Sequence, residues 1–179
     1  LGPRVSIRTR LALVMLCLAL LCTTVEGWLI YAAVRARTWQ QLRDTLSSLA
    51  TAGSMLVDAE DHARIKRSED RNSAAFKRIQ RRLHAFASAE KRVSGIYTLV
   101  PTEDPDIFRF VVDASEVQDV NGDGRITQEE KPAEVGEPYD VSRFPELKKG
   151  LLGPAADTEL ARDKWGDWLS GYAPVRDKR

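Results

Sequence analysis

"SGIYTLVPTEDPDIFRFVVD", residues 94–113, contains two short runs rich in β-branched and aromatic residues, "SGIYTLV" (94–100) and "IFRFVVD" (107–113), separated by "TEDPD". Side chains of these types fit a pleated, half-buried surface, and an Asp-Pro-Asp cluster between two such runs marks a turn. The pattern predicts a β-hairpin.

Working upstream, Phe76, Ile79, Leu83 and Phe86 recur at helical spacing and mark the apolar face of an amphipathic helix. Its opposite face carries Lys77, Arg78, Arg81 and Arg82 and reads as a solvated basic face, with contact to anionic lipid as the alternative. "RSEDRNSA" (67–74) reads as a polar loop. Before it, "DAEDHARI" offers Asp58 and Asp61 as capping residues of a short helical turn. Asp58 and His62 stand four apart and could share a metal, but a cap and a solvated histidine explain the pair more simply. From Thr38 to Val57 the residues Trp39, Leu42, Leu46, Leu49, Ala50, Ala52, Leu56 and Val57 predict a longer amphipathic helix.

Further upstream, "LALVMLCLALLCTTVEGWLIYAAV" (11–34) is the one long apolar run, interrupted only by Glu26 and Gly27. At ~1.5 Å per residue it covers a ~30 Å hydrocarbon core and predicts a transmembrane helix. A cleaved signal peptide is the rival reading, but no small-x-small site precedes Trp28 and Tyr31, which suit a membrane interface. Residues 1–10 then form a cytoplasmic stub. Arginines flank the span on both sides, so charge alone does not orient it. Both cysteines, Cys17 and Cys22, lie inside the span, which leaves residues 35–179 without thiol or disulfide chemistry. The first residue is Leu and the last stretch, "PVRDKR", reads as a turn, so a fragment of a longer chain is expected.

Downstream of the hairpin, "DVNGDGRITQEE" (119–130) resembles an EF-hand loop. Calcium takes six to eight hard oxygen ligands, which a twelve-residue loop supplies at fixed positions. Asp119, Asn121, Asp123 and Glu130 occupy the positions for side-chain carboxylate or amide ligands, Arg125 offers a backbone carbonyl, and Thr127 a direct or water-mediated contact. Gly124 falls where the loop must turn sharply, and Ile126 where it is apolar. Lys131 and Pro132 replace the usual apolar start of an exiting helix, and the loop has no second copy. An isolated structural calcium clip is therefore expected, and a plain polar turn of Asp, Asn and Gly is the alternative. Such clips suit the millimolar calcium outside cells, which places the N-terminus in the cytoplasm.

The Gly- and Pro-rich "KPAEVGEPYD" follows, then a short helix near "FPELKKGLLG", then "DTELAR" and "WLSGYAPV" as two strands joined by "DKWGD". Four strands with helices before and between them predict an α+β domain with one antiparallel sheet.

The order long helix, short helix, "GIYTLV", "FRFVVDA", "VGEPYD", "WGDWLSGYAPVRD" resembles the PAS-like extracytoplasmic sensor domains of the Cache superfamily, found at the front of bacterial membrane receptors ahead of diguanylate cyclases and histidine kinases. The resemblance covers most of residues 35–179 and is firmest in "IYTLV" and "WLSGYAPVRD". It implies a sensor in the bacterial inner membrane, with residues 35–179 periplasmic, a homodimer formed through the long N-terminal helix, and a final sheet strand beyond Arg179. It also implies binding of a small molecule between the sheet and the loops crossing it. Tyr97, Arg109, Asp113, Tyr139, Trp168 and Tyr172 could line such a pocket; for the aromatics at alternate strand positions plain core is the commoner alternative, while the charges of Arg109 and Asp113 need partners.

Other classes are disfavoured. Formal net charge is +1, so no basic face advertises nucleic acid. Only two histidines, His62 and His84, are present, neither in a nucleophile or metal motif, and no phosphate-binding glycine loop or HExxH occurs. The segment is expected to sense rather than catalyse. A second reading makes calcium itself the signal.

Overall fold

The computed structural model describes residues 6–115, 117, 124–127, 130–163 and 166–177. It divides into two units, Leu1–Leu42 and Arg43–Arg179. Helix α1 (Ile7–Met55) supplies most of the first unit and the beginning of the second. Within the first unit the leucines, valines and aromatics of the apolar run are exposed, among them Leu16, Leu20, Trp28 and Ile30. The helix is long and apolar enough to cross a membrane. The two threonines of the apolar run are compatible with that environment, because both hydroxyls are satisfied within the helix: Thr23 donates to the Ala19 and Leu20 carbonyls and Thr24 to Leu21.

In the second unit α1 tightens as it ends. Leu56 and Val57 donate to carbonyls three residues back, and the helix stops at Met55, two residues before the predicted Val57. Asp58 then caps α2 (Ala59–Arg64), its carboxylate accepting the Asp61 amide at 2.9 Å. Residues 67–74 are not simply a loop. Asp70 accepts the Lys66 and Arg67 amides and draws Ser68–Asn72 into a 3-10 turn. Ser73 caps α3 (Ala74–Ala89) by accepting the Phe76 amide at 3.1 Å. Phe76, Ile79 and Leu83 of α3 are buried and Phe86 half-buried, which matches the predicted stripe.

The predicted hairpin forms as β1 (Tyr97–Pro101) and β2 (Ile107–Asp113), antiparallel, with a register shift between Thr98 and Leu99. β3 (Pro138–Asp140) adds to the other edge of β2. The strand order is β1-β2-β3, so β2 is central. Its last four residues, Phe110–Asp113, are all buried, which places core on both faces. One cluster joins Val57, Ile65, Phe76, Ile79 and Leu83 to Val111 and Val112. The other joins Phe108 and Phe110 to Tyr139, Val141, Phe144 and Leu147, the last from α4 (Pro145–Lys149).

The remaining strands depart from expectation. The four predicted strands do not make one sheet. β4 (Ala155–Ala156) pairs with β7 (Gly171–Tyr172), while β5 (Ala161–Asp163) and β6 (Gly166–Trp168) form a separate hairpin between them. "DTELAR" is extended only from Ala161, and "WLSGYAPV" contributes to two strands rather than one. The interruption has a local cause at Asp157. Its amide still donates to the Ser170 carbonyl at 2.9 Å, but its carboxylate takes the Ser170 amide at 2.8 Å, so a side chain ends the ladder there. β3 was hidden from the sequence reading by the surrounding Gly and Pro. Its terminal position in the described β1-β2-β3 sheet explains the tolerance of Pro138.

Candidate functional site

Three of the six residues predicted to line a ligand pocket come together. Tyr97 of β1, Tyr139 of β3 and Tyr172 of β7 all belong to the second apolar cluster. The register places Tyr139 opposite Phe108 and Tyr97 opposite Asp113. Phe110 lies between two of the tyrosines, with ring centroids 5.2 Å from Tyr97 and 5.4 Å from Tyr139, and Tyr139 stacks on Phe144 at 5.5 Å. Tyr139 is thus buried core, while Tyr97 and Tyr172 are half-buried.

A buried carboxylate that the sequence reading missed sits beside this cluster. Asp157 is 5% exposed and accepts from the Tyr172 hydroxyl at 3.0 Å as well as from the Ser170 amide. Burial pushes its pKa above the ordinary value despite these hydrogen bonds, and burial with the nearby Asp157 charge pushes the Tyr172 phenol up in turn. Tyr172 is therefore a hydrogen-bond donor and not a phenolate at neutral pH.

The other three predicted residues are elsewhere or differently engaged. Arg109 is exposed on β2, opposite Val100 and Pro138. Trp168 is half-buried on β6, opposite Ala161. Asp113 is 8% exposed, and the partner its charge requires is backbone: Oδ1 accepts the Ser115 amide at 2.9 Å and Oδ2 the Ala133 amide at 2.8 Å. It holds the two ends of the connection that contains residues 119–130.

Of the predicted calcium ligands, Asp119, Asn121 and Asp123 lie outside the described residues. In the described part Gly124 has φ +78°, the left-handed conformation that a sharp turn at that position requires. Glu130 accepts from the Thr127 amide at 2.8 Å and the Thr127 hydroxyl at 2.9 Å. These two oxygen-bearing side chains are thus held next to each other, and their chemistry fits a hard cation. Ile126 and Arg125 are both exposed. Among the described residues no three His, Cys, Asp or Glu side chains gather as a metal site.

A second polar group was misjudged from sequence. His62 is not solvated. It is buried in α2 with Nε2 2.9 Å from the Thr98 hydroxyl of β1, which itself accepts the Val112 amide at 3.0 Å. Burial lowers the His62 pKa, so the neutral ring is the resident form. Asp61 is not a cap but a buried partner of Arg78, whose Nε and Nη2 donate to it at 3.0 and 2.6 Å, so Arg78 is not part of a purely solvated face. The signals that could have found these groups are weak: a Thr inside an apolar strand, and an Asp-His pair on a six-residue helix.

Comparison with protein-family models, with curated proteins and with solved structures found no match.

Proposed function

We propose that this chain is the sensing part of a membrane receptor, with α1 anchoring it in the bacterial inner membrane and residues 35–179 forming a PAS-like domain of the Cache type on the extracytoplasmic side. The observation that carries this reading is one chain combining a helix of membrane-spanning length and composition with an α+β unit built on an antiparallel sheet. A small molecule binds at the tyrosine cluster, beside the half-buried Tyr97 and Tyr172. Calcium binds at residues 119–130, and two copies associate through α1. The domain binds and reports; any turnover belongs to an output module elsewhere in the receptor.

A second reading, in which calcium is itself the signal, is favoured by one contact. Asp113 holds both ends of the proposed calcium loop to the central strand.

Topology is the direct test. With Cys17 and Cys22 replaced by Ala, a cysteine placed at the exposed Ser142 is expected to react with a membrane-impermeant maleimide in intact spheroplasts. Reaction only after lysis would overturn the extracytoplasmic placement.

A further inference from the structure

We propose that His62 and Thr98 form a proton-operated latch, in which the neutral ring holds α2 on the β1–β2 hairpin and protonation of the ring in mild acid releases α2. The latch requires neither the small molecule nor calcium. His62 lies on a helix of six residues and is 8% exposed. A helix that short has little stability of its own, so α2 keeps its place through tertiary contacts. Its polar contact with the sheet is the pair formed by His62 Nε2 and the Thr98 hydroxyl, 2.9 Å apart. Thr98 stands where the β1–β2 register shifts, and its hydroxyl also accepts the Val112 amide at 3.0 Å. Val112 is fully buried, so ring, hydroxyl and amide form a row of hydrogen bonds that runs from α2 into the central strand.

Counting hydrogens shows why this row responds to protons. A hydroxyl has one proton to donate and two lone pairs, of which the Val112 amide occupies one. With Nε2 bare, the hydroxyl donates to the ring and all three groups are satisfied. An imidazolium carries a proton on both nitrogens, so the hydroxyl must accept from the ring, and its own proton is left with the Val112 carbonyl 3.5 Å away. Nor do the surrounding charges compensate the new one. On α2, Asp61 is engaged by Arg78 of α3, Asp58 accepts the Asp61 amide, and Glu60 and Arg64 are exposed. α3 adds Lys77, Arg81 and Arg82, all exposed cations, and in the 3-10 turn Asp70 is bonded to the Lys66 and Arg67 amides. On the sheet, Tyr97 belongs to the other apolar cluster, Arg109 is exposed, and the Asp113 carboxylate accepts the Ser115 and Ala133 amides. Burial disfavours the charged ring and holds its pKa below the ordinary 6.5. A released, hydrated ring therefore takes the proton first, and the latch is whole above pH 6.5 and weakens as pH falls below it.

The test follows hydrogen exchange of single amides in the full chain in detergent micelles from pH 7.5 to 5, corrected for the intrinsic rate at each pH. The probes are the His62 and Ile65 amides, which donate to the Asp58 and His62 carbonyls, with the Leu83 amide of α3 as reference. Lowering the pH is expected to speed exchange at the two α2 amides by about threefold or more relative to Leu83. His62→Gln offers the hydroxyl an amide that does not titrate and is expected to remove that response. His84→Gln, at the only other histidine, is expected to keep it. Thr98→Val is expected to give the α2 amides, already at pH 7.5, the fast exchange that the wild type shows at pH 5. Wild-type α2 amides protected equally at both pH values overturn the proposal, a result that needs no variant to fold. It also fails if α2 and Leu83 lose protection in step, since acid then unfolds the unit as a whole. Retention of the response in His62→Gln, or wild-type protection in Thr98→Val at pH 7.5, likewise refutes the latch.

Discussion

Gly171→Ala tests the placement of β7, the strand that carries Tyr172. A Cβ added at residue 171 would stand 2.3 Å from the Leu46 carbonyl oxygen of α1, 2.6 Å from its carbon and 3.1 Å from the Leu46 Cβ. An ordinary carbon–oxygen approach is about 3.3 Å, so the strand would have to retreat by roughly 1 Å. The obstacle is helix backbone rather than the end of a flexible side chain. On its other side, the same strand is close to α4, where a Cβ at Gly150 would come 2.6 Å from the Tyr172 Cβ. Overpacking of this kind costs about 1–3 kcal/mol. For a unit of this size that corresponds to a fall in Tm on the order of 4–12 °C. Gly153→Ala is the control, since a Cβ there meets nothing within 4 Å, and a Tm within about 2 °C of wild type is expected. Thermal melting of the full chain in micelles, followed by near-ultraviolet circular dichroism, gives both values. Equal melting temperatures for Gly171→Ala and the wild type would show that β7 does not rest on α1 in solution, and would remove the packing argument for how Tyr172 is positioned.

Other perturbations address the remaining contacts. Burial holds the His62 pKa below its ordinary 6.5, so the unfolded chain takes up that proton first as pH falls. Its contribution is therefore intact above pH 6.5 and declines below it. Tm measured from pH 7.5 to 5 should drop more steeply for the wild type than for His62→Gln, and equal slopes would contradict a buried neutral ring. Tyr172→Phe removes the donor to Asp157 and should cost about 1–2 kcal/mol in denaturant unfolding, whereas no change would mean that water replaces the hydroxyl without penalty. Arg78→Ala leaves the Asp61 carboxylate, 13% exposed, without the guanidinium that donates twice to its Oδ2, and a loss of about 1–2 kcal/mol is expected, falling short of that of a fully buried pair because Arg78 is 45% exposed and Arg64 stays 4.0 Å from Oδ1. Calcium titrated into the wild type should bind saturably, and Asp119→Ala with Glu130→Ala should abolish the heat. The absence of heat from the wild type would leave residues 119–130 as a polar turn.

The parts of this fold that were legible in the sequence are those set by near neighbours in the chain. The apolar run within α1, the Phe76, Ile79 and Leu83 stripe of α3, the β1–β2 hairpin and the cap at Asp58 each depend on a period or a turn spanning a few residues. Likewise Gly124 was identified by its place in a motif, and its positive φ is the conformation such a place requires. β3 and the β4–β7 pairing were not legible. Strands of two or three residues carry too little pattern, and their pairing is chosen by what packs on the central strand and α1.

What the sequence by itself determined is the order of local elements, the apolar segment, and the chemical types available at the loop and the tyrosines. Only the tertiary structure decided which polar groups are buried and what satisfies them: His62 with Thr98 at a separation of 36 residues, Asp113 with Ala133 at 20, Asp61 with Arg78 at 17 and Tyr172 with Asp157 at 15. The physical reason is that periodicity reports which face of an element is apolar, while a buried polar group must find a partner wherever the packed chain brings one within about 3 Å.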